Sequence, residues 1–267
     1  MAPARRAALR RRAAPRMTPG RALVILPTYQ EAANIGAILR RVRDAAPDAD
    51  LLVVDDNSPD GTAELAEALG RELGQIDVLR RTRKSGLGAA YRAGFEQALD
   101  HGYDVVVEMD ADLSHDPSDL PALLREVERG ADLAIGSRYM PGGAIPAWPT
   151  HRRALSRYGN RYASFVLGLH TTDATSGFRA YRSTALRNAA FQATHATGYA
   201  FQVEMAYRLA RLGATIVEVP IVFVDRVSGR SKMSAHIAVE AMALVTWWGV
   251  RDRLLRRKRR RAVDKRV

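Results

Sequence analysis

The chain has 267 residues and a formal net charge of +12, from 41 basic and 29 acidic side chains. Residues 1–20 carry +6 and residues 251–267 carry +8, so residues 21–250 carry −2 and the basic excess lies wholly at the ends. That distribution argues against a basic nucleic-acid stripe on the folded domain, and the absence of cysteine excludes disulfides, thiolate metal sites and cysteine nucleophiles.

From residue 21 the pattern alternates strand and helix. "RALVILP" (21–27) is a short apolar run that predicts a buried strand. Residues 31–46 place Ile35, Ile38, Leu39 and Val42 on one helical face. Strands follow at 51–56, 76–80, 104–113 and 131–138, and helices at 61–73, 88–101 and 116–130, the last with Pro117 in its first turn. The alternation predicts an α/β fold with a mostly parallel central sheet flanked by helices. Ligands bind such sheets at the carboxyl ends of the strands. Those ends carry Thr28-Tyr29, Asp55-Asp56, Asp110-Ala111-Asp112 and Ser137-Arg138. The second half is less regular. A Gly/Pro loop (141–149) leads into a helix over 152–169, with Leu155, Tyr158, Tyr162, Phe165 and Leu169 spaced to one face. Strands are expected at 176–182 and 214–224, a helix at 199–212, a polar loop at 225–234 and a last helix from about 235.

The division expected is a basic tail (1–20), one catalytic domain (21–234), a C-terminal amphipathic interfacial helix (235–250) and a second basic tail (251–267). No apolar run approaches the roughly 18 residues of a membrane span. The N-terminus lacks the apolar stretch of a secretory signal. The expectation is a cytoplasmic protein held peripherally at the membrane. Trp247 and Trp248, followed by Arg251, Arg253 and Arg256, fit an interfacial helix with aromatics at headgroup depth and cations outside, although core packing suits them too. The basic ends fit an anionic membrane surface, and nucleic acid is not expected as a partner.

Asp110 and Asp112 stand two apart at a predicted strand end, where period-2 geometry points both carboxylates to one side. Oxygen ligands so spaced suit Mg²⁺ or Mn²⁺ bridged to a substrate phosphate. A strand-to-helix turn capped by Asp116 is the plainer reading. Asp56 can face a base or ribose while Ser58 to Gly61 form a turn. No Walker lysine loop and no G-x-G-x-x-G opens the first helix, which argues against P-loop and Rossmann chemistry. Lys84 and Lys232 lie in glycine-flanked loops suited to a diphosphate, and Arg152 and Arg153 open a helix suited to a phosphate. The histidines are scattered, so neither a histidine metal site nor a Ser-His-Asp triad is supported. Asp173 and Glu204 read equally as active-site acids or as caps and ion-pair partners.

Seven segments, "VILPTYQEAANI", "LLVVDDNSPDGT", "RKSGLGAAYRAGF", "VEMDADLSHDP", "AIGSRYMPGG", "DATSGFRAYR" and "VEVPIVFVDRVSGRSKM", together resemble the polyprenol- or dolichol-phosphate mannosyltransferases over residues 21–234. These are inverting glycosyltransferases of the GT-A type. The resemblance implies transfer of mannose from GDP-mannose to a polyprenyl monophosphate lipid, with Mg²⁺ or Mn²⁺. It implies donor contacts at Pro27, Tyr29, Glu31, Val54, Asp56, Asp110, Ala111 and Asp112, with Lys84 added from its loop. Asp112 becomes the direct metal ligand, and Ser114 stands where the family often has a longer glutamine ligand, so a water is expected between it and the metal. Arg138, Arg152 and Ser156 match positions at the acceptor phosphate, and Arg226 and Lys232 match a loop over the donor. Asp110, Asp112, Arg138, Arg226 and Lys232 are the expected catalytic set. A membrane-anchoring protein is a conceivable partner. The alternatives are the same fold using another nucleotide sugar such as UDP-glucose, and a non-catalytic nucleotide-sugar-binding subunit at the membrane.

Overall fold

The computed structural model describes residues 20–194, 196, 198–225, 241–252 and 254. Strands β1 (Ala22–Thr28), β2 (Asp50–Asp55), β3 (Ile76–Arg80) and β4 (Val105–Glu108) alternate with helices α1 (Ala32–Ala45), α2 (Thr62–Leu73) and α3 (Leu87–Asp100). Then come α4 (Leu120–Glu128), β5 (Leu133–Ser137), α5 (Thr150–Leu167), β6 (Arg179–Arg182), α6 (Ser183–Asn188), α7 (Gly198–Arg211) and β7 (Ile216–Pro220). The strands form one seven-stranded sheet in the order β3-β2-β1-β4-β6-β5-β7. All neighbours are parallel except β6, which runs antiparallel to β4 and β5.

Helices cover both faces, so the inner strands are apolar almost throughout rather than alternating. Successive residues of β1 serve the two layers in turn: Val24 and Leu26 pack with Ile35, Ile38 and Val42 of α1, while Leu23 and Ile25 pack with Tyr91 and Phe95 of α3 and Phe201 of α7. A third cluster, with Ala163 of α5, Tyr207 of α7 and Val245 and Trp248 of a C-terminal helical segment (241–252), builds outward from the second layer. Trp248 stacks on Tyr207 at 5.9 Å between ring centroids.

The α/β reading of the sequence agrees with the structure, with four local corrections. β4 ends at Glu108, so Asp110 and Asp112 lie in the following loop and no pleat sets their direction. The helix expected over 116–130 is a 3-10 turn (Pro117–Asp119) followed by α4, because the Asp116 carboxylate caps Ser118 N and Pro121 then opens the α-helix. α6 was not expected; it is a short helix in the link from β6 to α7. The stripe expected on one face of the helix over 152–169 divides: Leu155, Tyr158 and Phe165 are exposed, whereas Leu169, past the end of α5, is buried. The buried face of α5 is carried by smaller residues, Asn160 and Ala163. Residues 226–240 lie outside the described part, and so does the expected start of the last helix. No helix among the described residues is long and apolar enough to cross a membrane.

Candidate active site

The site is built where β1, β2, β4 and β5 end. Among the residues just past those ends, Gln30, Asn57 and Leu113 hold positive φ angles of 59°, 60° and 64°. Non-glycine residues adopt that conformation sparingly, and such strain gathers at functional sites. Each turns the chain sharply and so places a polar group over the sheet edge.

After β2, Asp55 is structural. Its carboxylate accepts from Thr28 Oγ1 (2.9 Å), Ser58 N (2.8 Å) and Ser58 Oγ (2.6 Å), which ties the ends of β1 and β2 together. Asp56, 5% exposed, reaches the other way and holds the loop before α3, accepting from Arg81 Nη1 at 2.5 Å and from Ser85 N at 3.0 Å. The same loop brings Lys84 Nζ to 3.8 Å above the Tyr29 ring, a cation–π contact that sets an ammonium at the β1 end. Glu31 precedes α1, where its backbone N donates to Thr62 Oγ1 and its carboxylate accepts from Asn34. Pro27 pairs in register with Val54 at this edge of the sheet. Tyr29, Glu31, Asp56 and Lys84 therefore lie at the shared end of β1 and β2, while Val54 is buried in the sheet beneath them. Arg81 and Ser85, which anchor that arrangement, escaped sequence reading because a hydrogen bond across 25 to 29 residues leaves no local pattern.

The acidic loop follows β4. Leu113's positive φ folds Ser114 back onto Asp112, whose Oδ1 accepts from Ser114 N (3.1 Å) and Ser114 Oγ (2.5 Å). The Ser114 side chain is buried with its hydroxyl donating to Asp112, so it orients that carboxylate. Asp110 N donates to His115 Nδ1, and the imidazole sits between Phe178 and Phe223 at 5.2 and 5.3 Å. His115 is thus a packing and positioning group. Gly177 passes beside the Asp110 carboxylate: a Cβ there would stand 3.6 Å from its oxygens. Beneath the loop, Glu108 is fully buried, and burial pushes its carboxyl up to about 8 despite the attraction of Arg179. It is held protonated near neutral pH and adds no negative charge under two aspartates. Among the described residues no cluster of three or more acidic, histidine or cysteine side chains could enclose a metal. The donors here are a few carboxylate oxygens, which fits a hard divalent cation completed by substrate phosphate and water.

Arg138 follows β5 and is 6% exposed. Its Nε and Nη2 each donate to Asp173 at 2.7 Å, and its backbone N adds a third bond at 3.0 Å. Burial alone would raise the Asp173 carboxyl, but Arg138 outweighs it and holds the group below its usual range. Asp173 is therefore the buried partner of Arg138. Glu204, the other acid left open by the sequence, bonds Ala196 N and Arg208 and is a structural ion-pair partner. Arg179, buried in full, donates to the carbonyls of Ser176, Gln202 and Ala174, fixing the segment that carries Asp173. A cleft of about 580 Å³ opens over Arg138, walled by the Gly142-Gly143 loop on one side and by Arg153 and Arg157 on the other. Arg152 turns elsewhere: its guanidinium lies 3.9 Å over Trp148 and 3.5 Å from Asp225. Ser156 is half-buried on the same helix. Segment 221–224 joins the two halves of the site, since Phe223 N donates to Ala144 O and Val224 N to Ser114 O. Arg226 and Lys232 lie outside the described residues.

Residues 23–189 match the family model of glycosyl transferase family 2. The chain is 53% identical over 233 residues to the undecaprenyl-phosphate mannosyltransferase of Micrococcus luteus, covering 87% of this chain and 96% of that protein. It is 49% identical over 235 residues to the polyprenol monophosphomannose synthase of Mycolicibacterium smegmatis, covering 88% and 89% of the two. Among solved structures, glucosyl-3-phosphoglycerate synthase of Mycobacterium tuberculosis, in complex with Mn²⁺, UDP-glucose and phosphoglyceric acid, superposes with a TM-score of 0.63 at 20% identity, over 86% of this chain and 79% of that one. A mannosyltransferase of Pyrobaculum calidifontis in complex with GDP-mannose and Mn²⁺ gives a TM-score of 0.56 at 18% identity, and this chain covers 59% of it. Those two structures establish the likeness of fold, and the two sequence relatives the branch. The chain therefore belongs to glycosyl transferase family 2 and is a GT-A-type glycosyltransferase of the polyprenyl-phosphate mannosyltransferase group.

Proposed function

We propose that the protein transfers mannose from GDP-mannose to a polyprenyl monophosphate, with inversion at the sugar carbon, giving polyprenyl-phosphate-mannose and GDP. The observation that carries this reading is the shared edge of the sheet: the acidic loop and the Asp56/Lys84 mouth stand on one side of segment 221–224, and the Arg138 cleft on the other. Relatives alike over nearly their whole length carry names for mannosyl transfer to a polyprenyl phosphate.

The nucleoside end of the donor is assigned to the mouth of Pro27, Tyr29, Glu31, Val54 and Asp56, and its diphosphate to Lys84 and the acidic loop. Asp112, oriented by Ser114, and Asp110 are the residues that would hold Mg²⁺ or Mn²⁺, which would supply positive charge to offset that of the departing diphosphate. The acceptor phosphate is a monoester with a second pKa of about 6, largely dianionic at neutral pH, so its oxygen is already nucleophilic. No strong general base is required. The protein's contribution is positioning: Arg138, locked by Asp173, presents a fixed guanidinium, and Arg152 and Ser156 on α5 are assigned to the acceptor side by sequence resemblance. Arg226 and Lys232 are assigned to the diphosphate by sequence resemblance.

The test is transfer assayed with GDP-mannose, UDP-glucose and other nucleotide sugars against polyprenyl phosphates, with Mg²⁺ and with Mn²⁺. Mannose transfer is expected from GDP-mannose alone. Asp112→Ala is expected to lower kcat by about two orders of magnitude or more and to abolish the metal response. Near-wild-type transfer by that variant would remove the metal role. A working UDP-glucose reaction would replace the donor assignment.

The expected site of action is the cytoplasmic face of the membrane, where a lipid phosphate meets a water-soluble nucleotide sugar. The support for peripheral attachment is the sequence: +6 and +8 at the two ends. A separate membrane-anchoring protein is compatible with this reading.

A further inference from the structure

Beneath the acidic loop, several buried polar groups stand unpaired together. Among the described residues, Tyr91 Oη, Glu108 Oε1 and both ends of the Gln202 amide are buried without a hydrogen-bond partner. The three side chains come from α3, β4 and α7, and each is 1% exposed or less. They are neighbours. The Glu108 charge acts on Tyr91, and the Gln202 amide stands close to the Glu108 carboxyl without a bond of good geometry. Only the other Glu108 oxygen is engaged, by Tyr181 Oη at 3.3 Å. Buried polar groups are nearly always paired, and one left unpaired costs stability. Folds keep such exceptions mainly where function uses them.

The nearest function is the acidic loop. β4 ends at Glu108, two residues before Asp110. Burial raises the Tyr91 phenol well above its usual value, and the charges of Asp110 and Glu108 raise it further. The phenol is therefore a permanent donor lying within the field of the Asp110 carboxylate. Its direction is fixed, because the Tyr91 ring stacks on Phe201 and on Phe95, each at 6.1 Å between centroids. Gln202 is fixed through its backbone, whose carbonyl accepts from the buried Arg179 Nη1 at 2.7 Å. Gly177, beside the Asp110 oxygens, contributes no side chain to steer them.

We propose that Tyr91, Glu108 and Gln202 are positioning residues for Asp110, a rigid polar platform on which that carboxylate is set when a divalent cation binds. In the loaded state Tyr91 Oη donates to Asp110, and Gln202 pairs with Glu108 beneath it. A donor to an ionised carboxylate makes a stronger bond than a neutral pair. Groups behind a metal ligand fix its orientation, and their loss weakens metal binding or activity by about 10–100-fold. The platform also reaches the donor side, since α3 begins directly after the loop that holds Lys84 and Ser85. The inference rests on the proposed function, in which Asp110 helps to hold the ion.

The experiment measures Mn²⁺ binding to the full-length protein in the presence of GDP, by electron paramagnetic resonance of the free ion, together with Tm by calorimetry. Wild type is compared with Tyr91→Phe and Gln202→Met. Tyr91→Phe is expected to bind Mn²⁺ about tenfold more weakly and to gain about 2–4 °C in Tm, because an unpaired hydroxyl leaves the core. Gln202→Met is expected to shift both in the same directions. In transfer assays the Mn²⁺ concentration for half-activation should rise in step, with the KM for polyprenyl phosphate unchanged. A merely structural network completed by internal water would instead lose Tm on removal and keep its Mn²⁺ affinity. Wild-type Mn²⁺ affinity in Tyr91→Phe overturns the inference, and so does a lowered Tm. Absence of Mn²⁺ binding by the wild type would overturn the metal role in the proposed function and this inference with it, so the wild-type curve tells the two failures apart.

Discussion

At the scale of single residues, Arg138 and Asp173 show how a charge is kept usable inside a protein. Both are almost fully buried and joined by two side-chain bonds and one from the backbone. Breaking such a pair leaves a desolvated charge without a partner, which costs about 3–5 kcal/mol. Asp173→Asn is therefore expected to lower Tm by roughly 10 °C in calorimetry and to weaken acceptor use more than donor use. The pH dependence follows from the lowered Asp173 carboxyl. Its contribution is complete above the ordinary aspartate value of about 4 and is lost as pH falls through the lowered one. Wild type should lose stability in acid more steeply than Asp173→Asn, as read by Tm between neutral and strongly acidic pH. Glu108 has the opposite sign: its carboxyl is raised to about 8, so its ionisation subtracts stability as pH rises through that value.

At the scale of elements, close approach decides which residues are allowed. Gly94 brings α3 onto β1, and a Cβ there would stand 2.8 Å from Ile25 Cδ1 and Cγ2. Gly94→Ala gains about 1 kcal/mol in helix propensity but inserts a methyl into a filled layer, at a cost of about 1–3 kcal/mol. A net loss of about 1 kcal/mol is expected, seen as a lower urea midpoint at unchanged slope. The acidic loop shows the reverse economy. β4 stops at Glu108, and the freed backbone takes a left-handed turn at Leu113 that a strand could not contain. Strand periodicity therefore identified the two aspartates but described their geometry wrongly. On α5, periodicity grouped the aromatics on one face without saying what that face meets, because spacing defines a face and only neighbouring elements say what covers it.

At the scale of the whole molecule, the charge separates by location. The mildly acidic middle of the chain suits a site built from aspartates, and the basic ends suit an anionic leaflet. Each basic residue near such a leaflet is worth about 1 kcal/mol and is screened beyond a Debye length of about 10 Å at 0.1 M salt. Deleting residues 251–267 is expected to release much of the protein from anionic vesicles at low salt while leaving the KM for GDP-mannose unchanged. If the truncated protein floats as well as the full chain across the salt series, the charge of that segment has another use.

The strand and helix alternation, the polar residues at the strand ends and the family motifs were all legible in the amino-acid order, because apolar periodicity and contiguous motifs are local properties of a chain. The pairing of Asp173 with Arg138 across 35 residues, the latch of Asp56 on Arg81 and Ser85, and the use of Ser114 as an orienting group for Asp112 were decided only by the tertiary structure. So was the outward turn of Leu155, Tyr158 and Phe165. A hydrogen bond depends on where the sheet brings distant residues together, and burial depends on what packs above a face.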